Sequence, residues 1–179
     1  MRIIAGKAGG RRIESPKTSA TRPATDRVRE AVFSIIGDWV VGAAVADLYA
    51  GSGSFGLEAL SRGAASAVFV EKGASALKAL RTNVTACKLG GEVVEDSVEH
   101  FLRKAEGRFD LVFVDPPWPL TSDELGRRLH ELDRLVDPRG EVVISRRHTD
   151  DLPDTPKSWE VATNRTYGDT RIIRYEKGS

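Results

Sequence analysis

The chain has 179 residues, 40% of them hydrophobic, which suits one domain with a full core and a small appendage. No apolar run reaches the roughly 20 residues of a membrane helix, and the start lacks the apolar segment of a secretion signal. The one cysteine, Cys87, excludes an internal disulfide and any Cys-based metal cluster, so a cytoplasmic protein is the simplest reading. Net charge is only +1, yet residues 1–30 hold eight Lys/Arg against three Asp/Glu, and the remainder holds 19 against 23. A basic start on a mildly acidic body suggests a polyanionic partner.

Arg2-Ile3-Ile4-Ala5 and Arg11-Arg12-Ile13-Glu14 flank the turn Gly6-Lys7-Ala8-Gly9-Gly10. Two short strands around a glycine-rich turn predict a hairpin studded by Arg2, Lys7, Arg11, Arg12 and Lys17. A lone hairpin is marginal, so it must dock on the body or order on its ligand. Ser15 to Thr25 is a Pro/Ser/Thr-rich linker containing Arg22-Pro23. Thr25 is a good N-cap for a helix running to about Ile36, with Asp26 in its first turn. Val28, Ala31, Val32, Ile35 and Ile36 form its expected buried stripe. Arg22, Arg27 and Arg29 stand at its entrance, where a surface role and a substrate or cofactor role are equally open.

From Ala43 the pattern alternates. Strands are expected at Ala44–Tyr49, Ala67–Glu71, Glu92–Glu95, Phe109–Val114 and Glu141–Ser145. Helices are expected near Ser54–Arg62, Ala74–Lys88, Ser97–Ala105 and Ser122–Leu135. This alternation predicts an α/β fold with a doubly wound, mostly parallel sheet. The end differs: Trp159–Asn164 and Thr170–Glu176 read as an antiparallel pair, with Tyr167-Gly168-Asp169-Thr170 as its turn or as a wall of a pocket.

The first strand runs into Ala50-Gly51-Ser52-Gly53-Ser54-Phe55-Gly56 and then a helix. Gly51, Gly53 and Gly56 satisfy G-x-G-x-x-G in the strand–turn–helix context that the motif needs. Glu71 ends the next strand, 20 residues after Gly51, where an acid can accept from ribose hydroxyls. Spacing alone fits a dinucleotide as well as a methyl donor. Asp47 separates the two. A pyrophosphate at a helix N-terminus disfavours a further carboxylate, whereas S-adenosylmethionine carries an ammonium and a sulfonium that a carboxylate favours. The candidate cofactor contacts are Asp47, Ala50, Gly51, Ser52, Gly53, Phe55, Gly56, Glu71 and Lys72. Asp96 and Ser97, closing the third strand, could meet the adenine amino group and a ring nitrogen; either also suits a helix cap.

Asp115-Pro116-Pro117-Trp118 follows the apolar run Phe109–Val114. The prolines end that strand because neither can donate to a ladder. A carboxylate, free carbonyls and a flat aromatic then share a strand's carboxyl end, the edge where open α/β sheets bind ligands. An exocyclic amino group on a base is a poor nucleophile, its lone pair being delocalised into the ring. The Asp115 carboxylate and the Pro116 carbonyl could hold both its N–H bonds and aim the lone pair at a methyl group. Trp118 offers a stacking face for the base, worth roughly 1–3 kcal/mol.

Arg146-Arg147-His148 follows the fifth strand at the same edge, where phosphate contact and a solvated loop are equally open. His100 and His130 lack a Cys or His partner at ligand spacing, so no metal is expected. Cys87 reads as a small buried hydrophobe.

The D-P-P-W turn resembles the D/N-P-P-Y/F/W motif of methyltransferases acting on amino groups of adenine, guanine or glutamine. Arg2-Ile3-Ile4-Ala5-Gly6 and Arg22-Pro23-Ala24-Thr25-Asp26-Arg27-Val28-Arg29-Glu30 are similar to one subfamily, as is Gly56-Leu57-Glu58-Ala59-Leu60-Ser61-Arg62-Gly63-Ala64. That subfamily is the bacterial RsmD-type enzymes, which methylate N2 of a guanine in 16S ribosomal RNA. The resemblance implies a seven-stranded Rossmann-like sheet with the last hairpin reversed. It implies Glu71 on the donor's ribose, and Asp115 with the turn carbonyl as the amino clamp. It further implies a partly assembled small ribosomal subunit as substrate. Trp118 departs from the commoner Phe or Tyr and enlarges the plate. On this reading residues 1–24 form an RNA-binding extension and residues 25–179 the methyltransferase domain, acting as a monomer. The RNA contacts expected are Arg2, Lys7, Arg11, Arg12, Lys17, Arg22, Arg27, Arg146 and Arg147. Adenine-N6 methylation of DNA or RNA, a silent RNA-binding assembly module and a nucleotide-dependent oxidoreductase are the alternatives.

Overall fold

The computed structural model describes residues 1–16 and 25–178. Seven strands form one sheet: β1 (Ala44–Leu48), β2 (Ser66–Glu71), β3 (Glu92–Glu95), β4 (Phe109–Val114), β5 (Val136–Arg147), β6 (Trp159–Tyr167) and β7 (Thr170–Lys177). Their order is β3-β2-β1-β4-β5-β7-β6. The first five are parallel, and β7 runs antiparallel to both β5 and β6. The chain therefore winds outward from β1 through β2 and β3, then returns to start β4 on the other side of β1. That reversal leaves a crevice at the carboxyl ends of β1 and β4, where Leu48 pairs with Val114.

Period-two alternation sorts each strand's side chains onto two faces. On β4, Leu111 and Phe113 join one core, Val112 and Val114 the other. Helices α1 (Asp26–Ile36), α2 (Ser54–Ser61) and α3 (Ala74–Cys87) cover the first face. They deliver Val32, Phe33, Leu57, Leu77 and Leu80 to it. Helices α4 (Val98–Lys104) and α5 (Ser122–Leu132) cover the second with Leu102, Leu125 and Leu129. Thr25 caps α1 by accepting from the Val28 N–H, and Thr121 with Glu124 makes a capping box on α5. Among the described residues, no helix is long and apolar enough to cross a membrane.

Several features depart from the sequence reading, among them that β6 runs on to Tyr167 rather than ending at Asn164. The buried stripe of α1 is Val28, Arg29, Val32, Phe33 and Ile36, so it is rotated from the expected one and includes an arginine. The last turn of α5 tightens into a 3-10 turn over Asp133–Leu135. β5 begins at Val136, five residues early, across a kink at Arg139 with φ 71°.

The N-terminal segment departs further. It doubles back, with Ile3 N–H donating to Arg11 O and Gly10 N–H to Ile3 O, but Arg2 and Arg12 form an isolated bridge rather than two strands. It does dock on the body, one of the two outcomes expected of a lone hairpin. Ile3, Ala8 and Ile13 are buried in the same core as Phe33 and Leu57. An isolated pair of short strands cannot bury two faces, and this segment gains stability only by lending its apolar side to α2 and α3.

Candidate active site

The glycine loop lies at the end of β1. Gly53 sits at the N-cap of α2 with φ 77°, a conformation an L side chain adopts only with strain. A Cβ on Gly56 would come within 2.4 Å of the Phe69 ring, so α2 packs on β2 only because that position is bare. The Asp47 carboxylate accepts the Gly56 N–H at 2.8 Å, inside the first turn of α2. It thereby fills one of the helix's free donors with a negative charge. Asp47 is 1% exposed. Burial pushes its carboxyl well above the usual carboxylate range; the Gly56 N–H pulls it back, and the neighbouring Asp115 and Glu71 push it further up.

Glu71 reaches across from β2. One oxygen accepts from Gly51 N–H at 2.9 Å, the other from Lys72 and Gly73 N–H at 2.9 and 2.7 Å. It thereby braces the crest of the loop. A carboxylate has about four acceptor positions, so these three bonds leave room for one more on the oxygen beside Gly51. Ala50 and Ser52 are buried in the loop, and the Lys72 side chain is exposed. Phe55 turns away. Its ring stacks on Phe113 at 5.1 Å in the core, so its role is packing rather than cofactor contact.

Asp115 follows β4 directly. Burial pushes its carboxyl up to about 6, against the lowering effect of a hydrogen bond from Ser145 on β5. Asp47, Glu71 and Asp115 thus gather at the ends of three neighbouring strands. The Pro117 carbonyl accepts from Leu120 N–H at 3.0 Å, which closes the turn. Trp118 is not bare: the Arg147 guanidinium lies over its ring at 4.2 Å. Trp118 also walls an open cleft of about 380 Å³ with Arg27, Val28 and the β6–β7 turn Tyr167–Thr170.

At the end of β3, Ser97 caps α4 by accepting from His100 N–H at 3.1 Å. Asp96 accepts from Ser97 N–H at 2.7 Å and pairs with His100 Nδ1 at 2.5 Å. Desolvation pushes its carboxyl up, but the His100 and Ser97 bonds outweigh that and hold it below its ordinary value. Two acceptor positions remain on Asp96, so capping and adenine recognition are compatible.

The basic residues divide. Arg2, Lys7, Arg11, Arg12 and Arg27 are exposed. Lys17 and Arg22 lie outside the described residues. Arg146 is the correction: it is 5% exposed and pairs with Asp150 at 2.8 Å, so it is not presented to a phosphate. Alternation along β5 sends Arg146 to the α5 face while Ser145 and Arg147 face the Asp115 turn. Arg29 proves neither a surface nor a ligand residue. It is fully buried, bonding Arg2 O at 2.6 Å and Asp26 at 2.7 Å.

Sequence reasoning missed a polar clasp. Glu58, also fully buried, accepts from Ile4 and Ala5 N–H at 2.7 and 3.0 Å and pairs with Arg62 at 2.7 Å. Ser61 accepts from Ala8 N–H and donates to Ala5 O. The signal was present: α2 is buried at every position, and a Glu and two Ser inside such a helix demand partners.

The sheet order, with a glycine loop and an acid–Pro–Pro–aromatic turn at the reversal of strand order, defines a Rossmann-like methyltransferase. The comparisons agree. The family described as conserved hypothetical protein 95 matches residues 1–176. Ribosomal RNA small subunit methyltransferase D of Escherichia coli K12 is 32% identical over 99% of this chain and 90% of its own length. The solved structure of Escherichia coli YhhF superposes with a TM-score of 0.89, at 31% identity, covering 99% of this chain and 98% of that one. A hypothetical protein of Thermus thermophilus gives a TM-score of 0.84 at 32% identity, covering 97% of this chain and 98% of its own. The chain belongs to this family of ribosomal RNA small subunit methyltransferases.

Proposed function

We propose that the protein transfers a methyl group from S-adenosylmethionine to the exocyclic N2 of a guanine in 16S ribosomal RNA. The observation that carries this reading is the convergence of the buried Asp47 with the partly exposed Glu71 and Asp115 on the crevice between β1 and β4. Three carboxylates packed this closely raise one another's energy unless a cation joins them. A donor bearing an ammonium and a sulfonium suits that site; a pyrophosphate does not. The loop at Ala50–Gly53 with Asp47 would hold the amino-acid part, Glu71 a ribose hydroxyl, and Asp96 with the Ser97 N–H the adenine. When bound, S-adenosylmethionine supplies an electrophilic methyl carbon on sulfur.

The chain's own groups do the rest. Asp115 and the Pro116 carbonyl accept the two N–H bonds of the base and fix the direction of its nitrogen lone pair. With its carboxyl near 6, Asp115 is ionised at neutral pH and can take the proton that the alkylated nitrogen sheds. Trp118 carries the base once Arg147 yields its face, and the exposed arginines and lysines of residues 1–12 with Arg27 receive phosphates. The choice of guanine over adenine rests on the family, in which the Escherichia coli relative is named a small-subunit enzyme. A partly assembled subunit as substrate rests on the same resemblance; the cytoplasmic setting follows from composition, and the protein acts as a monomer. Small subunits from cells lacking this protein are the test, with tritiated methyl donor and digestion of the RNA to nucleosides. N2-methylguanosine is the expected product; N6-methyladenosine would move the reading to adenine, and no incorporation would reject it.

A further inference from the structure

Ser52 stands at the crest of the glycine loop, and its carbonyl is held from outside the loop. The amide of Asn83, on α3, is 1% exposed. Its Nδ2 donates to Ser52 O at 2.9 Å and to Glu14 O at 2.9 Å, while its Oδ1 accepts from Glu14 N–H at 2.7 Å. One buried side chain therefore joins the loop to the end of the N-terminal segment. A second tie runs beside it. Arg29 donates to Arg2 O at 2.6 Å and stands 3.5 Å from Ser54 O, the first residue of α2. The Met1 sulfur lies 3.8 Å from the Ser52 hydroxyl. The same segment exposes Arg2, Lys7, Arg11 and Arg12.

None of these buried groups has water to fall back on. If the segment shifts, Asn83 and Arg29 lose partners, and a buried polar group without a partner is costly. The positions of the basic segment and of the glycine loop are therefore not independent. We propose that Asn83 is a positioning residue for the methyl-donor loop, and that through it a polyanion on the N-terminal segment tightens donor binding. This rests on the glycine loop being the donor site. Linkage makes the effect reciprocal: donor on the loop tightens RNA on the segment by the same factor.

Two variants test it in the full-length protein. Asn83→Ala removes the bridge. Glu14→Pro removes the N–H that donates to Asn83 Oδ1, along with the Glu14 side chain and the free φ there, and leaves α3 untouched. S-adenosylhomocysteine is titrated into each by calorimetry, alone and with small subunits from cells lacking the protein, after thermal melting confirms folding. In both variants the dissociation constant rises about fivefold or more, and the tightening by subunits expected of the wild type shrinks. At saturating donor the transfer rate stays within about twofold of wild type, so the loss lies in donor KM. A folded variant with wild-type affinity and undiminished tightening would overturn the proposal. Should Asn83→Ala fail to fold, Glu14→Pro alone decides. A wild-type protein that binds no S-adenosylhomocysteine rejects the donor site itself.

Discussion

The D-P-P-W turn and the first 16 residues teach opposite lessons about local and tertiary meaning. The turn carries its chemistry in adjacent residues. Its prolines end β4, its carboxylate points into the crevice, and its aromatic follows three positions on. Any chain that places this run after a buried strand arrives at much the same arrangement. The N-terminal segment carries its meaning elsewhere. Its charges suggest an arm for a polyanion, but its apolar residues and backbone N–H groups are consumed by Glu58, Ser61 and Asn83, on helices more than 50 positions away. One face is exposed and basic, and the other is core.

Deletion separates these views most sharply. An arm could be removed with loss of RNA binding alone. Removing residues 1–16 instead uncovers the site of Ile3 and Ile13, each worth about 1.5–3 kcal/mol of burial. It also strips the N–H partners of Glu58 and Asn83, at about 1–3 kcal/mol for each buried group left unpaired. Together these approach the whole stability of a domain this size. The truncated chain should therefore lose its cooperative thermal transition. A truncated protein with a wild-type melting curve would restore the arm.

Acid brings out the other side of the comparison. Asp115 must be ionised to take the proton that the alkylated nitrogen sheds, and its carboxyl titrates near 6 rather than at the ordinary 3.8. Turnover should therefore fall as pH drops through about 6, while donor affinity changes less. The stability sign runs oppositely. The folded state holds the Asp115 proton more tightly than the unfolded chain, so its contribution is lost as pH rises from about 4 through 6. Asp115→Asn should then be more stable than wild type at pH 8, by up to about 3 kcal/mol for a shift of about two units. Equal stabilities there would show that the carboxyl is solvated.

The smallest expected effect falls on the segment's outer face. Lys7→Ala with Arg12→Ala should leave melting unchanged but weaken binding to the subunit, and reduce the slope of log affinity against log salt by about one per lost phosphate contact. An unchanged slope would place the RNA elsewhere.

Much of the fold was legible because its signals are local. Period-two runs separated by helical patterns led to all seven strands, and strand–glycine–helix placed the loop. The D-P-P-W turn placed the crevice's second wall. The buried face of the segment was not legible, since alternating Ile3 and Ile13 in a basic run looks like a marginal hairpin until α2 is present to receive it. Arg29 and Arg146 were misjudged for a related reason. Type suggests surface, and only the register of α1 and β5 decides which way each arginine faces. Phe55 lies inside the cofactor motif by spacing, yet its helical position turns it to Phe113.

Asp115→Asn is the most direct test of the central claim, that this carboxylate holds a base's amino group beside a methyl donor. Methyl transfer to small subunits and S-adenosylhomocysteine binding are measured on the same preparation. The account predicts a rate lower by at least about a hundredfold, with donor affinity falling far less than the rate. Transfer at the wild-type rate by the folded variant would contradict it.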